Sequence, residues 1–423
     1  MSNTEGVSRS RPSGAAEGVL EEIEVRGHIV DSLLLPKILD RILQMGGAFE
    51  IKECQIGARR VDPSYARIAV RANSPAQIAE IVGDLVEHGA TPVHAEDART
   101  VPADILGAFP EDFYSSTNQR TQVRVKGMWV DVADQEMDCG IAVDQSAGTA
   151  RCIAMTEVTP GLPIVVGHAG VRVIPVERPR ESTLFGFMSS NVSSEKPKAV
   201  SIRSVAETIR ATRESGQKVL LVGGPAIVHT GSAEHVASLI RDGWVQVLFA
   251  GNALATHDVE QSLYGTSLGV SLTRGEAIEH GHEHHLRAIN TIRRLGGLKA
   301  AVDAGVVNSG IMYEAIRKPI DLVLAGSIRD DGPLPEVITD VLQAQRVMRQ
   351  AIHGVGFALM IATGLHSIAT GNLLPAWVKV VCVDINPATV TKLSDRGTFQ
   401  TIGLVTDVEP FLRTLAAELA RNP

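Results

Sequence analysis

The chain has 423 residues, 44% of them apolar and 21% charged, with a formal net charge of -8. That length exceeds one ordinary core and predicts two domains, and the composition excludes disordered and fibrous classes. The acidic balance argues against non-specific affinity for nucleic acid or anionic membranes, while leaving room for a local basic pocket.

Residues 1–20 carry no apolar h-region and are expected to be a disordered tail rather than a secretory signal. Residues Ile23 to Ile29 alternate like a strand, and Leu33 to Met45 carries apolar residues at helical spacing, closed by Gly46-Gly47. Strands are predicted near Phe49 to Ile56 and Ala66 to Val70. A second helix starts at Ser74-Pro75 and ends at Gly89. The order β-α-β-β-α-β predicts a small ferredoxin-like sandwich. From about Thr121 to Glu177, short β-branched runs (Gln122–Val125, Trp129–Val132, Gly140–Val143, Val171–Val176) predict a β-rich extension of that domain. Arg178 to Lys198, rich in Ser and Pro, reads as a linker.

The second half alternates strand and helix. Lys218–Val222, Val245–Ala250, Asp321–Ala325, Phe357–Ala362, Val378–Val383 and Gln400–Val405 are strand candidates, with a helix from about Ser232 to Arg241. These runs are continuously apolar, as in parallel strands covered on both faces. A doubly wound, Rossmann-like sheet is expected, with domains at 21–180 and 199–423. Cys54, Cys139, Cys152 and Cys382 are widely spaced without a C-x-x-C pair, which fits a reducing, cytoplasmic setting. No apolar run is long enough to span a membrane.

In such a sheet ligands bind beyond the carboxyl ends of the strands. Small residues and carboxylates gather there: Gly223-Gly224, Gly251-Asn252-Ala253, Gly326 to Gly332, Thr363-Gly364-Leu365-His366, Asp384 and Thr406-Asp407. Glycines let backbone approach a phosphate, and helix N-termini offer it free N–H groups. Asp384, ending VKVVCVD, is placed to accept hydrogen bonds from both hydroxyls of a ribose. Its charge would repel a 2′-phosphate, so NAD is favoured over NADP. The alternative makes Asp384 a helix N-cap. A regular G-x-G-x-x-G is missing.

His257-Asp258 is a candidate proton-transfer pair, or else the N-cap of a helix His257–Tyr264. Cys139, in MDCGIAV, is either a polar residue at a cleft or a buried strand cysteine. The group His280-Gly-His282-Glu-His284-His285 invites a zinc reading, but H-E-x-x-H is absent and a polar helix end suits it better, so no metal is expected. Arg329 offers a bidentate clamp for a carboxylate, or a partner for Asp330.

Several long strings carry a resemblance: GNALATHDVE, GTSLG, GHEHHLRAIN, VLAGSIRDDGPLPEVITD, TGLHSIATGNLLP and VCVDINPATVTKLSDRG, with FPEDFYSSTN and FMSSNVSSEKP upstream. They resemble the LOR/SDH-type ornithine cyclodeaminases of archaea and of the C-terminal part of cyanobacterial arginine-degrading bifunctional enzymes, from about Glu21 to the end. The resemblance implies an NAD-binding domain related to that of deoxyhypusine synthase, preceded by a LOR/SDH domain. It also implies cofactor contacts at Asn252, Ala253, Asp331, Thr363, Gly364, Leu365, His366, Asp384, Asp407 and Val408. The implied reaction converts L-ornithine to L-proline and ammonia with NAD recycled. His257, Asp258 and Cys139 are its candidate catalytic residues. A homo-oligomer, dimer or tetramer, is expected by the same resemblance. A saccharopine-type dehydrogenase and a non-catalytic NAD sensor are the competing readings.

Overall fold

The computed structural model describes residues 19–30, 33–59, 62–93, 96–174, 198–271, 281–330, 332–395 and 401–421. The chain divides into two units, residues 1–182 and 183–423. In the first, strands β1 (Val19–Gly27), β2 (Ala48–Gln55), β3 (Ser64–Ala72) and β4 (Thr91–Pro92) form an antiparallel sheet in the order β2-β3-β1-β4. Helices Leu34–Gln44 and Pro75–Glu87 pack on it, so Ile23, Val25, Ile68 and Val70 are buried with Ile38, Ile42, Ile81 and Leu85. This is the expected ferredoxin-like sandwich. Ser74 caps the second helix by accepting the Gln77 N–H at 3.2 Å, and Pro75 follows where no intrahelical donor is needed.

Strands β5 (Thr100–Pro102), β6 (Arg120–Val125), β7 (Met128–Ala133), β8 (Gly140–Asp144), β9 (Thr149–Ile153), β10 (Pro163–Val165) and β11 (Val171–Ile174) form the β-rich extension. Their order is β11-β6-β7-β9-β8-β10-β5. The predicted disordered tail lies almost wholly, and the predicted linker up to its last residue, outside the described residues.

The first described element of the second unit is helix Lys198–Glu214, which a strand-and-turn reading of the sequence leaves out. Its buried Ile202, Val205, Ala206 and Ile209 recur at helical spacing. Strands β12 (Lys218–Gly223) and β13 (Val247–Gly251) follow. A small hairpin, β14 (Thr266–Ser267) and β15 (Val270–Ser271), precedes β16 (Asp321–Ala325), β17 (Val355–Ile361), β18 (Lys379–Asp384) and β19 (Thr401–Val405). Apart from the hairpin, these strands form one parallel sheet in the order β16-β13-β12-β17-β18-β19. Numbered along the chain that order is 3-2-1-4-5-6, the arrangement of dinucleotide-binding sheets, whose switch point lies between β12 and β17.

Both faces of the sheet are covered. Leu221, Leu248, Leu359 and Val381 enter one core, while Leu220, Phe249, Met360 and Val380 enter the other. Covering on both sides is why the strand sequences lack polar alternation. Each such aliphatic side chain contributes about 1.5–3 kcal/mol of burial.

At the switch point the backbones touch. The Gly224 N–H donates to the Ile361 carbonyl at 2.9 Å. A β-carbon on Gly224 would stand 1.9 Å from the Ala362 carbonyl oxygen, so only glycine fits. Ala362 itself has a φ of 51°. The helix after β12 is a single turn, Ala226–His229, rather than the long helix that follows the first strand of a standard Rossmann fold.

Candidate active site

Four strand ends build the rim of the parallel sheet. After β13, helix Asn252–Tyr264 starts directly at the strand, with Gly251 in the N-cap position and no side-chain cap. Asn252 is buried and accepts the Leu334 N–H at 3.0 Å and the Thr256 hydroxyl at 3.2 Å, tying this helix to the segment after β16. Ala253 beside it is half-buried. After β17, Thr363 is the N-cap of helix Gly364–Leu373, again without a side-chain cap. Leu365 is exposed on its first turn. Helices uncapped in this way keep first-turn N–H groups free for an anion.

His366 turns from that helix toward β13 and β16. Its Nδ1 lies 3.5 Å from the Thr363 hydroxyl, its ring also donates to the Ala325 carbonyl, and burial lowers its pKa below the usual value. After β18, Asp384 is buried, and its Oδ1 accepts the Asn386 N–H at 2.8 Å. Asn386, not Asp384, caps the next helix, by accepting the Ala388 N–H at 3.0 Å. The capping alternative for Asp384 is thereby taken by its neighbour. After β19, Asp407 is exposed at the start of helix Val408–Arg421 and accepts the Glu409 N–H at 3.4 Å. Val408 packs into the core, so only its backbone faces the rim. Asp331 lies outside the described residues.

A second cluster surrounds His257. Helix Asn252–Tyr264 begins five residues before it, so His257 is not at a helix start as the N-cap alternative supposes. Its Nδ1 is 2.8 Å from Oε2 of Glu260, one helical turn away and fully buried. Glu260 also accepts the Thr266 hydroxyl at 2.9 Å and the N–H groups of Gly269 at 3.0 Å and Leu268 at 3.3 Å. Leu268 and Gly269 have φ of 52° and 73°, the positive values that a primed two-residue hairpin turn requires. Burial works against the Glu260 charge, but the bonds from His257, Gly269 and Thr266 outweigh it and lower its pKa.

Other imidazoles gather there. The His229 ring stands edge-on to His257 at 4.7 Å, and the His285 ring is at 6.2 Å. His229 Nδ1 is 2.7 Å from the Ser267 hydroxyl, and burial together with nearby His257 brings its pKa down to about 4. His284 Nδ1 meets the Thr266 hydroxyl at 2.9 Å. Gly281 packs against Gly269 so closely that a β-carbon on either would meet the other's backbone at 2.4 Å. The strings GTSLG and GHEHH therefore meet in space. Among the described residues no group of three or more His, Cys, Asp or Glu has the geometry of a metal site, and His280 lies outside them.

The adjacent pair His257-Asp258 is not a pair in the structure. Consecutive residues on a helix diverge by about 100°. Asp258 points instead at helix Ile311–Arg317, accepting the Ile311 N–H at 2.8 Å and the Met312 N–H at 2.7 Å. Full burial pushes its carboxyl up to about 7, against the pull of those two bonds. Its geometry is that of a cap on a remote helix. Cys139 is buried beside β8 in the β-rich core of the first unit, with Ile141, Val143 and Cys152, as the strand-cysteine alternative has it. Arg329 is exposed, and Asp330 accepts the Ser327 N–H at 2.8 Å. Glu260 and His229 escaped the sequence reading, although the i, i+3 spacing of His257 and Glu260 in GNALATHDVE was a usable signal.

Comparison with known proteins agrees with this architecture. Residues 203–415 match the family described as arginine dihydrolase ArgZ-like, C-terminal, Rossmann fold; residues 120–202 match its C-terminal first region. Residues 20–119 match the LOR/SDH bifunctional enzyme conserved region. An ornithine cyclodeaminase of Methanopyrus kandleri is 54% identical over 402 residues, covering 95% of this chain and 97% of that protein. The apo structure of ArgZ, an arginine dihydrolase from the cyanobacterial ornithine-ammonia cycle, superposes with a TM-score of 0.82 at 37% identity, covering 98% of this chain. The ternary complex of AgrE with ornithine and NAD+ matches at 42% identity with a TM-score of 0.52, covering 95% of this chain. This chain spans 60% of ArgZ and 58% of AgrE. From the ferredoxin-like sandwich to the last strand of the parallel sheet, the chain belongs to the LOR/SDH-type ornithine cyclodeaminase family.

Proposed function

We propose that this protein is an NAD-dependent ornithine cyclodeaminase, converting L-ornithine to L-proline and ammonia. The observation that carries the reading is the rim of the 3-2-1-4-5-6 sheet, where a buried strand-end carboxylate, Asp384, stands among uncapped helix N-termini. That donor set fits a dinucleotide: N–H groups for the pyrophosphate and an acid for ribose hydroxyls. The names of the archaeal relative and of the AgrE complex support the same substrate and cofactor.

The residues that would hold NAD are Asn252 and Ala253 after β13, the turn Thr363 to His366 after β17, Asp384 after β18, and Asp407 with Val408 after β19. Asp331, in the segment after β16, is expected to join them. The usual glycine-rich turn after the first strand is replaced by the Gly224–Ala362 contact and one turn of helix, so neighbouring strand ends take over the phosphate. NAD, when bound, would supply a two-electron acceptor that takes a hydride and returns it before product leaves, so the reaction has no net redox change. His257 takes a proton from the α-ammonium group and returns it to the departing nitrogen. The δ-nitrogen of ornithine, once its ammonium has given a proton to solvent, is the nucleophile that closes the ring, so no protein nucleophile is required. Asp258 and Cys139 act through the fold rather than on substrate.

We also propose a LOR/SDH-type domain at 21–180 and an NAD-binding domain at 199–423, a homo-oligomeric assembly and a cytoplasmic location. No described helix is long and apolar enough to cross a membrane. Light scattering on the purified protein checks the assembly.

The test is incubation with L-ornithine and catalytic NAD, with proline and ammonia assayed together. Equimolar products without accumulating NADH support the reading. Steady NADH growth would instead indicate a saccharopine-type dehydrogenase. NAD binding without turnover of any amino acid would indicate a sensor.

A further inference from the structure

The carboxylate of Glu260 is fully buried, yet four donors converge on it: the Thr266 hydroxyl, the Leu268 and Gly269 N–H groups, and His257 Nδ1. Removing a carboxylate from water costs several kcal/mol unless such bonds replace the lost hydration. Three donors already serve the hairpin β14–β15. The fourth bond is not needed to hold that turn, and it fixes an imidazole.

An ionised carboxylate only accepts, so the ring nitrogen facing it carries the proton. Nε2 of His257 is then the nitrogen with a free lone pair in the neutral ring. His257 lies one and a half turns into the helix that starts at Asn252, among the strand-end elements of the sheet. His229, on the single turn after β12, comes edge-on to it.

We propose that Glu260 is the positioning residue for proton transfer: it holds His257 with the proton on Nδ1 and presents Nε2 to the substrate. The inference rests on the cyclodeaminase reading for the identity of the substrate, but not for the tautomer. The step balances. An N–H bond of the α-ammonium breaks as one forms on Nε2, the positive charge arises beside the Glu260 carboxylate, and the same proton leaves on the departing nitrogen. The titratable groups around His257 are Glu260, His229 and His285, with His284 one hydroxyl further through Thr266. Asp258 faces another helix.

The experiment compares the intact wild-type enzyme with Glu260→Gln, measuring NAD affinity, KM for ornithine and kcat across pH. An amide keeps the size and one acceptor but loses the charge that favours an imidazolium. The expected result is a kcat lower by roughly 10²–10⁴-fold with NAD affinity and KM nearly kept, and an acid limb moved to lower pH. Activity that falls only with the folded fraction, at an unmoved limb, would overturn the proposal and leave Glu260 a staple of the hairpin. Glu260→Gln also removes a charge from the hairpin, so a second readout is made on unsubstituted protein. Nitrogen-15 labelling of the histidines, assigned with His257→Gln, identifies which ring nitrogen of His257 is protonated. A proton on Nδ1 supports the inference, and a proton on Nε2 alone at neutral pH overturns it. This readout needs no substrate, so failure to turn over ornithine would sink the cyclodeaminase reading without deciding the tautomer.

Discussion

The ring of His366 lies over Gly251: a β-carbon at position 251 would come within 3.0 Å of its Cε1 and 3.6 Å of its Nε2. His366 follows β17 and Gly251 ends β13, with β12 between them in the sheet. One side chain thus spans the switch point and ties three strand ends together, reaching the Ala325 carbonyl at the end of β16 as well. The glycine is required for the close approach of the ring, since its φ of -96° suits any residue.

Gly251→Ala should therefore displace His366 more than it destabilises the sheet. NAD affinity is expected to fall about 5- to 30-fold, the scale of 1–2 kcal/mol of overpacking. Titration calorimetry checks this, and an unchanged Kd would remove His366 from the cofactor contacts.

Asp384→Asn keeps the shape at the end of β18 and the bond to the Asn386 N–H through its amide oxygen. It loses a charged acceptor, worth about 1.5–3 kcal/mol, so NAD should bind roughly 10- to 150-fold more weakly. The preference for NAD over NADP should narrow at the same time. Equal losses for both cofactors would show that the carboxylate does not meet the ribose.

Asp258→Ala leaves the Ile311 and Met312 N–H groups buried without partners. Loss of stability by about 1–3 kcal/mol is expected in urea unfolding, with turnover per folded molecule retained. Abolished turnover in a fully stable variant would instead restore Asp258 as a proton-transfer group.

His229 gives stability a pH dependence. Its folded pKa, about 4, lies below the ordinary value of 6.5 because burial disfavours the charged ring. Between those values the unfolded chain takes up a proton that the folded one refuses, so this contribution is present above pH 6.5 and is lost as pH falls toward 4. His229→Gln should unfold with a weaker dependence on pH over that window. Parallel melting curves at pH 7, 5.5 and 4 would refute the assignment if the two proteins lost stability equally.

The sandwich was legible because each of its elements carries its own signal, from the alternation in β3 to the Ser74-Pro75 start of its second helix. The rim was legible because small residues and acids must follow strands at a ligand edge, whatever the partner strands are. Local reading failed at His257-Asp258, where adjacency in sequence suggested a pair. On a helix the neighbour faces away and the residue one turn on faces the same side, so Glu260 is the partner. It failed also at helix Lys198–Glu214, whose apolar spacing was present but lay behind a stretch rich in Ser and Pro.

By itself the sequence determined the class of fold, the continuous apolar strands of a sheet covered on both faces, and the chemistry collected at their ends. Those are properties of short segments, set by periodicity, capping and side-chain charge. Only the tertiary structure decided that Gly224 is closed against Ala362, that His366 rests on Gly251, that Asp258 caps a helix 53 positions away, and that Glu260 holds His257 beside a remote hairpin. These contacts join residues whose separation along the chain carries no periodic trace. They follow from how the strands are ordered and how the helices pack across them.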